Sequence, residues 1–355
     1  MSAPVLDRSP SAGFSRDHRP LPRWVPWALA AVALVVALGL RSVLGSGPVL
    51  TAVFAALAFG VLVNLASRRV EGRRRATDRS VTTVVSAMFV AAMVPLASLL
   101  QTVVSRGAGR FDGEFFSATM RNVIGEGGGA LHAIAGTVII TSLAALISVP
   151  IGVLTAIYLV EYGRGRLARS ITFLVDVMTG IPSIVAGLFA YALFVLFFGP
   201  GVRFGIGGAV ALSVLMVPVV VRSVEEMLKL VPAELREASY ALGVPKWRTI
   251  LKVVLPAAAA GIGTGITLAV ARVIGETAPL LLIVGTTTSL NLNPFEGRMA
   301  TLPVFAFYSF TQPGARPDPS IDRAWTAALV LMVIVLALNL VARIVAKRFA
   351  PKGGR

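Results

Sequence analysis

The sequence predicts an all-α protein that crosses a membrane several times, and three observations carry this prediction. Of 355 residues, 56% are hydrophobic and only 14% are charged. The mean hydropathy of +0.81 is far above that of a water-soluble domain with a polar surface. Apolar runs of about 20 residues, enough to cross a hydrocarbon core of about 30 Å as a helix, recur along the chain. Because lipid offers no partner to unpaired backbone groups, each run is expected to be helical.

Eight such runs lie between clusters of charges, glycines and prolines. They predict spans at 24–44, 49–66, 81–104, 131–159, 171–198, 205–228, 257–284 and 324–346. The residues before the first run have no apolar periodicity and predict a tail. A signal peptide is the alternative for the first run, but its length and the lack of a small-residue cleavage site favour a retained span.

The lysines and arginines predict the orientation of these spans. One set of connecting segments carries 24 of the 33 basic residues, and the alternate set carries 8. The basic set comprises 1–23, 67–80, 160–170, 222–256 and the end of the chain from Arg343. Since short cytoplasmic loops carry the excess positive charge, this set and both termini are expected in the cytoplasm. The net charge of +16 then follows from membrane insertion and gives no support to a nucleic-acid partner.

Several chemistries are excluded or disfavoured by what the sequence lacks. There are no cysteines and only two histidines, so disulfides and thiolate sites are excluded and no metal-binding pair is expected. The segment G-x-x-x-x-G-K-[ST] does not occur, so the chain has no P-loop for ATP. We expect no cofactor in this chain, and the energy for any ATP-driven step must come from a partner.

The connection between the sixth and seventh predicted spans, 231–256, is long and amphipathic. A proline followed by early acidic residues suits a helix start, and Gly243 ends that helix. A second short helix is expected from Lys246, with Trp247 on its apolar side. Two short helices joined at a glycine predict a protruding element at 231–256, which is called the knob. Taken by itself, the knob is either a hairpin resting on the membrane surface or a docking element for a soluble partner.

The knob resembles the EAA loop of permease subunits in bacterial ABC importers. That pattern is Glu-Ala-Ala, three residues, Gly, nine residues, Ile-x-Leu-Pro. It is met, with Ser and Val in place of one Ala and the Ile, by Glu237, Ala238, Ser239, Gly243, Val253, Leu255 and Pro256. The resemblance implies that the knob is a coupling helix seated in a groove of the ATP-hydrolysing subunit. The residues expected at this contact are Glu237, Ala238, Leu242, Gly243 and Trp247.

Four stretches are similar, more closely, to a permease subunit of the bacterial phosphate importer. They are "IGVLTAIYLVEYGRG", "GIPSIVAGLFAY", "EEMLKLVPAELREASYALGVPKW" and "ARVIGETAPLL". The resemblance covers about 81–347 and implies a six-span permease core of the MetI-like type, with two additional N-terminal spans. The implied division is a tail at 1–23, an extra two-span hairpin and basic loop at 24–80, the permease domain at 81–347 and a C-terminal tail at 348–355. Whether the extra hairpin holds lipid, a partner or nothing stays open.

Two charges, Arg272 and Glu276, lie inside the seventh predicted span. A charge at the bilayer centre costs about 2.5–3.5 kcal/mol on insertion scales, so it needs an explanation. At i and i+4 both charges fall on one helical stripe that faces protein, with Gly261, Gly265, Leu268, Gly275 and Pro279.

Two compatible interpretations of these charges remain. They neutralise one another as a structural pair, or the guanidinium fork of Arg272 contacts a crossing oxyanion while Glu276 prevents it from binding too tightly.

Weaker features concern the paths of other spans. Pro150, Pro182 and Pro218 predict kinks or local unwinding, and the segment at 180–183 is a candidate for lining a pathway. Asp176 is expected to be an interfacial anchor rather than a ligand.

The resemblance implies a non-enzymatic transport subunit of a bacterial cytoplasmic (inner) membrane that moves inorganic phosphate into the cell. The implied partners are ABC ATPase subunits that bind ATP, a homologous PstC-like permease, an extracytoplasmic phosphate-binding protein and membrane lipid. An ABC permease for another oxyanion, such as sulfate or molybdate, keeps the mechanism and changes the ligand. A membrane enzyme or channel that uses Arg272 and Glu276 is the remote alternative.

Overall fold

The structure is a computed structural model that describes residues 21–22, 24–45, 47–314 and 316–349. The tails predicted at 1–23 and 348–355 lie outside the described residues, except for two residues of each. The described chain is helical and contains no strand, which confirms the all-α prediction. Contacts divide the chain into a first unit up to Leu100 and a second unit from Gln101.

The first unit is built from long apolar helices. These are α1 (Val25–Leu44), α2 (Pro48–Val70) and most of α3 (Arg73–Gly107). α1 and α2 form a hairpin, and the small residues Ala33 and Ala37 are fully buried. Small side chains let two membrane helices approach closely, which explains why this hairpin packs without bulky contacts.

The second unit contains the remaining helices. They are α4 (Gly113–Ser117), α5 (Leu131–Ile157), α6 (Gly165–Thr179), α7 (Ser183–Phe198), α8 (Gly205–Lys229), α9 (Ala233–Ala241), α10 (Lys246–Thr249), α11 (Leu255–Val273), α12 (Ala278–Ile283), α13 (Leu302–Thr311) and α14 (Pro317–Phe349). Two π turns, Tyr158–Tyr162 and Ile250–Val254, follow α5 and precede α11.

Seven helical stretches of the described chain are long and apolar enough to cross a membrane, and eight if the bent pair α6 and α7 forms one span. The eight predicted runs fall on these elements. The domain boundaries predicted at 80 and 81 remain a prediction, since the division by contacts falls within α3.

α8 is the central helix of the second unit. It packs along α5, and its buried face includes Leu212, Met216 and Val220. A side chain on Gly152 of α5 would meet Val220 at 2.6 Å, so glycine is required for this close approach. Both helices continue through their internal prolines. Local unwinding at Pro150 and Pro218 is therefore not observed, and a kink at either proline stays a prediction.

Candidate functional site between two broken helices

The first break separates α6 from α7. α6 ends at Thr179 and α7 begins at Ser183, and the two helices are bent by 109°. Pro182 has no N–H to continue the ladder of α6, and its carbonyl instead accepts from the first amides of α7. The kink predicted at 180–183 is confirmed.

The second break separates α11 from α12. α11 ends at Val273 and α12 begins at Ala278. The single helix predicted over 257–284 is wrong here, because the chain leaves helical geometry between the two charges. Arg272 and Glu276 therefore do not stand one above the other on one helix. The amide of Glu276 bonds the carbonyl of Val273 at 3.1 Å, which tightens the end of α11.

The two breaks lie against one another. A side chain on Gly187 of α7 would stand 2.5 Å from Cα of Pro279 in α12, so these helices touch through their backbones. Beside them is a cavity of about 190 Å³. Its walls come from the first break, from α8 and from the two charges: Met178, Thr179, Ile181, Ser183, Leu215, Val219, Arg272 and Glu276. The structure thus brings both predicted pathway residues to one cavity.

The two charges at this cavity differ in exposure. Arg272 is exposed and Glu276 is half-buried. Within the part of the chain that the structure describes, neither side chain forms a hydrogen bond or an ion pair, whereas several other arginines do. Their mutual neutralisation as a structural pair is not observed. The cavity has room for several water molecules or one small anion, and its free guanidinium can donate to such an anion.

The stripe predicted on α11 packs against protein over only part of its length. Gly261 and Gly265 face Met227 and Ser223 of α8, where a larger residue would clash. Leu268, in contrast, is 52% exposed. The contact of this part of the stripe with protein stays a prediction, because the isolated chain leaves Leu268 uncovered.

The knob has the predicted form of two short helices joined at a glycine. Gly243 adopts φ of +73°, and its amide bonds the carbonyl of Tyr240 at 2.9 Å. This left-handed backbone ends α9 and is accessible to glycine at little cost. The hydroxyls of Ser239 and Thr249 lie 2.8 Å apart in a buried position and tie α9 to α10.

A partly buried ion pair anchors the knob to the turn that follows α5. Arg236 bonds Glu161 at 2.9 and 3.0 Å and also donates to the carbonyls of Val231 and Leu228. Lys246 bonds the carbonyl of Glu161 and lies 4.8 Å from the ring of Tyr162. Sequence reasoning missed this anchor, since the two charges are far apart in the chain and follow no motif spacing.

The residues predicted to contact an ATPase are all exposed on the knob. Glu237, Ala238, Leu242, Gly243 and Trp247 are accessible, and Leu242 is 84% exposed. Exposed apolar side chains of this size are typical of protein contact surfaces. Asp176 lies elsewhere: it pairs with Arg222 of α8, so it joins two helices of the core.

The fold is that of a protein with several membrane spans. Residues 148–353 match the family "Binding-protein-dependent transport system inner membrane component", and the chain belongs to this family of ABC importer permeases. The chain is thus an inner-membrane transport subunit rather than an enzyme, and membership implies ATPase and binding-protein partners.

Relatives narrow this family to the PstA permeases. The chain is 47% identical over 277 residues to "Phosphate transport system permease protein PstA 1" of Mycobacterium tuberculosis, covering 77% of this chain and 90% of that one. It is 38% identical to PstA of Yersinia pestis, covering 78% and 92% of the two chains.

A solved bacterial alginate ABC transporter shares the fold. Its TM-score is 0.55 at 13% identity, with 79% of this chain and all of that chain covered.

Proposed function

We propose that this chain is the permease subunit that carries inorganic phosphate through the inner membrane in an ATP-driven importer. The observation that carries the proposal is the cavity at the two helix breaks, with its unpaired Arg272 and Glu276. The kinship with PstA permeases supports phosphate as the ligand.

In this proposal Arg272 captures the anion and Glu276 favours its release. Arg272 is permanently protonated and presents a planar set of donors that fits two oxygens of a phosphate. Glu276 repels the same anion, so binding stays weak enough for transport to continue. Since both residues flank the α11–α12 break, a change in that break alters the distance between the attracting and the repelling group.

The proposed partners are supported by the family to which the chain belongs. ATPase subunits that bind ATP dock on the exposed knob, a PstC-like permease completes the pathway, and an extracytoplasmic phosphate-binding protein delivers the ligand. The knob and both termini then face the cytoplasm, as the distribution of arginine and lysine indicates. In this arrangement the chain itself needs no cofactor.

Replacement of Arg272 tests the proposal. We expect Arg272→Gln to lower phosphate uptake roughly 10- to 100-fold, because a hydrogen bond to a charged group contributes about 1.5–3 kcal/mol. The matched control is Arg298→Gln, which removes one arginine charge away from the cavity and should leave uptake unchanged. The measurement is uptake of radiolabelled phosphate by the reconstituted complex, with co-purification of all subunits as the check on assembly.

Competition distinguishes phosphate from other oxyanions. Unlabelled phosphate should suppress the uptake of label, while sulfate and molybdate at the same concentration should not. Normal uptake by Arg272→Gln would remove this arginine from the pathway, and equal competition by sulfate or molybdate would reassign the ligand.

A further inference from the structure

The turn between α2 and α3 carries an unusual concentration of arginine. It is called the arginine turn here and comprises residues 67–79. Four of its arginines, Arg68, Arg69, Arg73 and Arg74, are exposed around a tight connection in which Gly72 adopts φ of +86°. Only Glu71 and Gly72 separate the two helices. The four arginines therefore lie in the last turn of α2 and the first turn of α3, at one end of the first unit.

The acidic residue in the middle of this turn does not neutralise the exposed arginines. Glu71 is 5% exposed. One carboxylate oxygen accepts from the amide of Leu21 at 2.7 Å and from Arg79 at 2.8 Å, and the other accepts from Ser67 at 2.7 Å and from Arg79 at 2.6 Å. The negative charge of Glu71 is therefore bound by Leu21, Ser67 and Arg79 and not by the four exposed arginines.

These bonds keep Glu71 ionised. Burial raises the pKa of its carboxyl, but the donors from Arg79, Leu21 and Ser67 outweigh burial and lower the pKa to about 2. Asp78 is the acidic side chain that remains exposed in the turn, so the surface keeps a clear positive excess.

The bond between Leu21 and Glu71 brings two tryptophans to the same end of the first unit as the arginine turn. The amide of Leu21 is bound by Glu71, and α1 begins shortly afterwards at Val25. Trp24 is 68% exposed and Trp27 is 80% exposed. Tryptophan favours the headgroup level of a bilayer, where its ring is half in an apolar and half in a polar medium. The membrane-spanning stretches begin at Val25, end at Val70 and begin again at Arg73, so tryptophans and arginines share one interface.

We propose that the arginine turn, together with Trp24 and Trp27, is a docking surface for anionic phospholipid headgroups. Guanidinium groups donate to lipid phosphate in a fork geometry, and juxtamembrane basic clusters concentrate anionic lipid. The bond from Leu21 to Glu71 ties the chain just before α1 to this turn, so the arginines and the tryptophans lie at the same end of the hairpin. This role belongs to the N-terminal hairpin and is independent of transport through the cavity.

Quenching of tryptophan fluorescence by brominated lipid tests the proposal. The full chain carries Trp247→Phe and Trp325→Phe, so that only Trp24 and Trp27 of its four tryptophans emit. It is placed in nanodiscs of phosphatidylcholine with a minor fraction of brominated phosphatidylglycerol or, separately, of brominated phosphatidylcholine. We expect brominated phosphatidylglycerol to be enriched at the tryptophans at least about fivefold over brominated phosphatidylcholine. This factor corresponds to the attraction between one arginine and an anionic membrane surface.

Matched variants connect the enrichment to the arginines. Changing Arg68, Arg69, Arg73 and Arg74 together to glutamine should reduce quenching to that of brominated phosphatidylcholine, while changing the same four to lysine should retain most of the preference. A control with Arg164, Arg166 and Arg169 changed to glutamine removes exposed positive charge from another loop and should leave the preference intact.

Two results would overturn the proposal without any arginine variant. Equal quenching of the parent chain by the two brominated lipids would show that the arginines bind no anionic lipid and serve only to orient the membrane spans. Loss of the preference in excess inorganic phosphate, but not in sulfate of the same ionic strength, would show a site for free phosphate instead of a lipid surface.

Discussion

One arginine of the knob, Arg236, is held in an ion pair, whereas the two charges at the other end of α11 form no ion pair in the described chain. Arg236 of the knob and Glu161 form this partly buried ion pair. Arg272 and Glu276 form no ion pair in the described chain, although they flank the same helix end. The contrast between the knob and the cavity reflects two different functional requirements. A segment that receives force must be fixed to its neighbours, while a segment that binds and releases an ion needs groups whose bonds are not already made.

The physical basis of the contrast is the cost of leaving a buried charge without a partner. Such a charge at the knob would cost several kcal/mol, so Arg236 uses its donors on a carboxylate and two carbonyls. Arg272 avoids that cost because the cavity gives it access to solvent or to an anion. Four changes at these two places test whether the division holds.

Removing the charge of Glu161 should have the largest effect. We expect Glu161→Gln to destabilise the knob by about 3 kcal/mol, because it leaves Arg236 without its buried counter-ion. Hydrogen exchange of the amides in α9 should accelerate, and ATP hydrolysis by the assembled complex should lose its dependence on phosphate. The control, Glu234→Gln, removes an exposed charge on α9. Equal exchange in the two variants would mean that the ion pair does not hold the knob.

A side chain at Gly243 should disturb the knob through its backbone. Gly243→Asp forces a residue with a Cβ into the left-handed region, at a cost of about 1–2 kcal/mol, and adds a negative charge to the contact surface. We expect weaker co-purification of ATPase subunits and ATP hydrolysis that no longer responds to phosphate. Gly243→Asn places a side chain of similar size at the same backbone position without the negative charge, so it should keep more of both properties. Full coupling in the aspartate variant would contradict docking on the knob.

Neutralising Glu276 should change release more than capture. With about 1 kcal/mol of repulsion removed, we expect Glu276→Gln to lower KM for phosphate about threefold to tenfold and to lower the maximal rate. Uptake measured over a range of phosphate concentrations separates these quantities. An unchanged KM would show that this carboxylate does not act on the anion.

The hydroxyl pair inside the knob should give the smallest change. Ser239→Ala leaves the buried hydroxyl of Thr249 without this partner and should cost about 1 kcal/mol. The double variant Ser239→Ala, Thr249→Val removes both groups and should recover part of that loss. The midpoint of thermal unfolding in detergent micelles measures both, and a further loss in the double variant would argue against a direct interaction.

The sequence predicted features that depend on neighbours in the chain. The run of apolar residues located the spans, the proline at 182 located the α6–α7 bend, and the glycine at 243 located the turn of the knob. Each of these is a local effect of hydrophobicity or backbone freedom.

Other features depended on contacts that no spacing reveals. The break after Val273 was missed because the apolar run continues through it and Pro279 is compatible with a helix start. The pairing of Glu161 with Arg236 joins distant parts of the chain. Arg272 and Glu276 were found as unusual charges, but only the structure separates them across a break and brings 179–183 to the same cavity.

The contact between Gly187 and Pro279 restricts which sequences can build this cavity. A methyl group at 187 would lie 2.5 Å from the Cα of Pro279, a distance that no rotamer change can relieve because it involves the main chain. An alanine at 187 therefore requires α7 and α12 to move apart, and any shift of α12 would carry Glu276, which lies two residues before it. Variation at a position with no charge of its own would in this way alter how strongly the protein holds an anion.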